Sequence, residues 1–153
     1  MRSKTLFGIL LVAFALAGVG AWAYKTFGKG EAATPPPGVL APASKLVVYY
    51  FHTTYRCATC NKLEAYAKEA IEKGFPGELN RGEVAFASVN VEHKGNEHYI
   101  EDYQLKTKSL VLVATGKTDR WKNLELIWDK VAVKDGYVHY VQDETKTFLL
   151  GLN

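Results

Sequence analysis

From Lys45 onward the spacing of apolar residues changes period several times, and each change marks an element. Leu46-Val47-Val48-Tyr49-Tyr50-Phe51 is an unbroken apolar, β-branched and aromatic run, which suits a buried strand of a mixed or parallel sheet. Between Cys60 and Lys73, Leu63, Ala67, Ala70 and Ile71 fall on one helical face, and Glu64 and Lys68 are spaced for an i,i+4 ion pair. Gly74 ends that helix, with Pro76 just beyond. Val84–Val91 reads as a second strand, Asn96–Tyr103 as a short helix, and Leu110–Val113 as a third strand closed by Gly116. Leu124, Leu126 and Trp128 alternate and predict a fourth strand. It would pair antiparallel with the third after the long turn Lys117–Asn123. Asp135 is placed to cap a last helix, with Val138, Val141, Thr145, Phe148 and Leu149 near one face. The order βαβαββα predicts an α/β fold, a layered sheet with helices on both faces.

The first 44 residues follow different rules. Leu6–Tyr24 carries no charge, and as a helix it would span about 28 Å, close to a bilayer core of roughly 30 Å. Arg2 and Lys4 precede it, which favours a cytoplasmic N-terminus, and Trp22 and Tyr24 sit where aromatic rings prefer the far interface. Residues 1–29 are therefore expected to be a single-pass anchor in the cytoplasmic membrane. The alternative is a cleaved signal with Ala21-Trp22-Ala23 at the cut, giving a secreted or periplasmic product. Either way the remainder lies outside the cytoplasm. Residues 30–44 hold Pro35-Pro36-Pro37-Gly38 and Pro42 and read as a semi-extended spacer, leaving 45–153 as one domain.

Charge narrows the function classes. Four of the 19 basic residues (Arg2, Lys4, Lys25 and Lys29) precede residue 31, and all 16 acidic residues lie at or beyond it. The domain is thus near neutral and has no basic stripe, which argues against nucleic acid as a partner. No Gly-rich phosphate loop, Ser–His–Asp arrangement or H-E-x-x-H occurs, and no cofactor is expected.

Only two cysteines are present, Cys57 and Cys60. A pair three apart closes too small a ring to staple a fold, so redox or metal chemistry is the better reading. The pair follows a strand and opens a helix, where free N–H groups and the positive dipole end stabilise a thiolate. Cys57 is then the expected nucleophile, Cys60 the resolving thiol one turn inward, and Arg56 a cationic neighbour. The competing class uses the same two thiols to hold copper(I), zinc or an arsenite-like species. His52, five residues before Cys57, reads either as a hydrogen-bonded strand-end histidine or as a proton shuttle or third ligand. His93, His98 and His139 read as surface or structural residues, Trp121 and Trp128 as packing residues, and Glu97, Glu101 and Asp102 as a solvated helix face.

The strand–Cys57-Ala58-Thr59-Cys60–helix unit and the element order over Lys45–Leu152 resemble the thioredoxin superfamily. The stretch Tyr50–Glu64, with Tyr103-Gln104-Leu105 and Ser109–Val113, is similar to small bacterial thioredoxin-like proteins labelled nitrophenyl compound nitroreductase subunits. The resemblance implies a central mixed four-stranded sheet, a redox-active Cys57–Cys60 disulfide, and protein thiols or disulfides as partners. Three departures stand out. Phe51 occupies the place of the superfamily's buried acid, six residues before the first cysteine. Ala58-Thr59 replaces the usual dipeptide. Lys108 or Ser109, depending on register, stands where the superfamily's cis-proline faces the cysteines, so the peptide bonds of 106–109 are expected to be trans.

Overall fold

A computed structural model describes residues 44–116 and 120–152. The run Leu6–Tyr24 and the Pro-rich spacer, apart from Ser44, lie outside the described residues. Among the described residues no helix is long and apolar enough to cross a membrane.

Strand β1 (Leu46–His52) leads to helix α1 (Ala58–Gly74) and short helix α2 (Pro76–Asn80). Strand β2 (Val84–Asn90), short helix α3 (His98–Asp102), strand β3 (Ser109–Ala114) and strand β4 (Trp121–Asn123) follow. Helices α4 (Ile127–Lys130) and α5 (Lys134–Leu150) close the domain. The sheet order is β2-β1-β3-β4. β1 pairs parallel with β2 and antiparallel with β3, and β3 pairs antiparallel with β4. The result is a four-stranded mixed sheet, consistent with a thioredoxin-like α/β fold. As a central strand, β1 is buried on both sides, which explains its unbroken apolar run.

Alternate residues of β1 serve two cores. Leu46, Val48 and Tyr50 face α1 and α5, where Leu63, Ala67, Ala70, Ile71, Tyr137 and Val141 cover them. Val47, Tyr49 and Phe51 face the other way, against Val111, Val113, Tyr99 and Tyr103. Helices therefore lie on both faces, as the order of elements predicts. The α1 stripe is the one expected from sequence, and Pro76 starts the added helix α2 at a position where its missing N–H costs nothing. Gly74 also lets α5 come close: a Cβ there would meet Gln142 Cγ at 2.9 Å.

Three expectations need correction. The fourth strand is Trp121–Asn123, not the alternating Leu124, Leu126 and Trp128. Leu124 and Ile127 are fully buried while Leu126 is exposed, a spacing of three that belongs to the turn entering α4. Asp135 does not cap the last helix; Val133 holds that position and Asp135 lies in the first turn, where its charge suits the helix dipole. Glu64 pairs with Arg56, while Lys68 pairs with Glu72.

Candidate dithiol site

Cys57 is the N-cap of α1, with extended backbone at φ −82° and ψ 164°. Its sulfur accepts the Cys60 N–H at 3.1 Å, the role usually taken by a Ser, Thr, Asp or Asn oxygen. No acidic residue lies in the first turn, so the positive end of the helix is not neutralised there. Cys57 and Cys60 are joined in a disulfide. Cys57 is partly exposed, whereas Cys60 is buried in the turn below. A disulfide of this spacing at a helix start fits a redox-active thiol site.

The turn carrying Cys60 is anchored from the sheet. The buried Tyr50 hydroxyl donates to Cys60 O at 2.8 Å. Burial pushes the Tyr50 pKa up to about 12, with Arg56 acting weakly the other way, so the hydroxyl is a donor across the neutral range. One turn on, the Tyr137 hydroxyl from α5 donates to Leu63 O at 2.9 Å. Phe51, six residues before Cys57, belongs to the opposite face of the sheet. Tyr50 is the β1 side chain bonded to the dithiol turn.

The loop entering Cys57 is tethered to the end of β2. Thr54 N–H donates to Glu92 Oε2 at 2.8 Å, and Asn90 Nδ2 donates to Thr54 Oγ1 at 3.1 Å. Asn90 is held in turn, accepting Glu92 N–H at Oδ1 and Asn96 Nδ2 at its carbonyl. Arg56 turns along α1 to pair with Glu64. His52 Nδ1–H donates to Thr53 O at 2.9 Å, and its ring stacks on Tyr50. Burial lowers the His52 pKa from its ordinary value, with the Thr53 carbonyl acting against it and Arg56 in the same direction, which favours the neutral ring.

Lys108 and Ser109 part company. The Lys108 ammonium sits 6.0 Å from the centre of the exposed Tyr55 ring, in the loop entering Cys57. Ser109 pairs with Phe51 across the sheet, so its side chain shares the face away from α1, and its hydroxyl donates to Thr107 O at 2.9 Å. The Trp128 indole N–H donates to Lys108 O at 2.9 Å and fixes the segment from behind. No cis peptide bond occurs among the described residues. Lys106, Thr107 and Lys108 line two clefts of ≈ 280 and ≈ 150 Å³.

Among the described residues no group of three or more His, Cys, Asp or Glu side chains is placed to hold a metal ion. The metal reading therefore rests on two sulfurs. His98 pairs with Asp102 on an exposed face of α3, and Trp121 packs edge-on against Tyr103. Tyr50, Glu64 and Glu92 escape sequence reasoning. Only Tyr50 left a signal: a tyrosine in an unbroken apolar run needs a partner for its hydroxyl once buried.

No family model matches the chain, and no curated protein matches it. A solved structure described as "Structure of a malarial protein" is similar at 14% identity over 59% of this chain and 100% of that one. Its TM-score of 0.37 is too low to bear on fold or function.

Proposed function

We propose that this chain is a thioredoxin-like thiol–disulfide oxidoreductase, held by its N-terminal segment on the outer side of the cytoplasmic membrane. The observation that carries the reading is the Cys57–Cys60 disulfide at the start of α1, with Cys57 partly exposed and Cys60 buried. In the reduced state the Cys57 thiolate attacks one sulfur of a partner disulfide. A Cys57–partner disulfide forms, and the other partner sulfur leaves as a thiolate and takes a proton. Cys60 then gives up its proton and attacks the Cys57 sulfur, which releases the second partner thiol. The partner gains two electrons and two protons, and Cys57–Cys60 is oxidised. The reverse sequence oxidises a partner dithiol, and a second dithiol or disulfide protein resets the pair.

The Cys60 N–H and the un-neutralised helix end stabilise the Cys57 thiolate. The segment Lys106–Lys108, whose Lys108 lies over Tyr55 in the loop entering Cys57, offers a surface against which a partner segment rests. The location outside the cytoplasm is supported by the basic Arg2 and Lys4 ahead of the uncharged run.

Trapping in cells tests the proposal. Full-length Cys60→Ser should accumulate mixed disulfides that reductant releases, with exported proteins as partners. Cys57→Ser should not. Trapping through Cys57→Ser alone would reverse the roles, cytoplasmic partners would overturn the location, and no trapping by either would overturn the exchange reading.

A further inference from the structure

We propose that Tyr50 is a positioning residue for the dithiol: its buried hydroxyl holds the Cys60 carbonyl and so aims the Cys60 and Asn61 amides at Cys57. The inference rests on the exchange reading above and names a residue that sets the energetics of that site. Cys60 C=O and Asn61 N–H belong to one rigid peptide plane. The carbonyl end receives Tyr50 at 2.8 Å, and the amide end donates to Cys57 O at 3.0 Å. Donation to the carbonyl polarises that plane and strengthens the bond at its other end. The preceding amide, Cys60 N–H, donates to the Cys57 sulfur at 3.1 Å. Two bonds to Cys57 thus come from a turn whose position Tyr50 fixes from a central strand. A resolving cysteine held from below also keeps its sulfur one turn under Cys57 while the disulfide opens and closes.

The hydroxyl favours the reduced form, because the amide aimed at sulfur gains most when that sulfur is a thiolate. Tyr137 supplies an internal comparison. It is equally buried and makes the same kind of bond, but to Leu63 O, one turn beyond the cysteines. Loss of either hydroxyl costs the fold a similar amount, and only loss of the first should reach the sulfur.

The test equilibrates full-length wild type, Tyr50→Phe and Tyr137→Phe with glutathione redox buffers and reads the oxidised fraction, with thermal unfolding measured alongside. Tyr50→Phe should shift the equilibrium toward the disulfide by about threefold to tenfold, where tenfold is about 30 mV for this two-electron couple. It should also slow iodoacetamide alkylation of Cys57 at fixed pH. Tyr137→Phe should change stability without moving either readout. An unchanged equilibrium in Tyr50→Phe, or equal shifts in both variants, overturns the inference and leaves the exchange reading standing. A wild-type pair that glutathione cannot reversibly reduce overturns both.

Discussion

The guanidinium of Arg56 is bound to the carboxylate of Glu64, eight residues further along the chain. The cation adjacent to Cys57 in sequence is therefore neutralised along α1, and the thiolate relies on the helix terminus. Glu64→Gln should release the charge toward the sulfur and raise the Cys57 alkylation rate at pH 7 by roughly twofold to fivefold. Arg56→Ala should cost roughly 1 kcal/mol of stability, since the pair is about three-quarters buried, and slow alkylation by less than about twofold. A large loss of reactivity in Arg56→Ala would show the guanidinium acting on sulfur directly.

Glu92 ties the loop before Cys57 to β2 through the Thr54 amide. That bond lowers the Glu92 pKa below its ordinary value of 4.5, so the tether exists with the carboxylate ionised. A depressed folded value means stability that is fully present above the unfolded value and lost as pH falls through the folded one. Hydrogen exchange at the Thr54 amide should give a protection factor that is constant from pH 7 to about 4.5 and falls below that. In Glu92→Gln it should be low throughout. A pH-independent wild-type value would remove the carboxylate from the tether.

The turn into α4 separates two readings of one segment. Ile127→Ala should cost about 2–5 kcal/mol in urea unfolding, because the side chain is fully buried. Leu126→Ser should stay within about 0.5 kcal/mol, because that side chain is about half exposed. The opposite ranking would restore an alternating strand through Leu124 and Trp128.

That segment also shows where sequence reading reaches its limit. β1 and α1 were legible because their patterns run for six or more residues, β1 buried on both faces and α1 along one stripe. β4 has three residues at a sheet edge, half-buried at both ends, so its own pattern is too short to register. The alternation just beyond it came from Leu124, Leu126 and Trp128, of which only Leu124 is fully buried. The cysteines were legible from spacing and from their place between strand and helix. Their surroundings were not, because Tyr50 reaches the site by a bond from strand to helix, Asn90 and Glu92 reach it from the end of β2, and Glu64 pairs with Arg56 rather than with Lys68. Lys108 and Ser109 stood as equals in sequence, and only the Phe51–Ser109 register turns one of them away from α1.

The reduction potential of the wild-type Cys57–Cys60 pair tests the account most directly. Full-length protein equilibrated with defined dithiol–disulfide buffers should interconvert reversibly between two states, with a midpoint between about −120 and −270 mV, the range of exchange proteins from strong oxidant to reductant. A pair that stays oxidised below about −300 mV, as structural disulfides do, would contradict the exchange function.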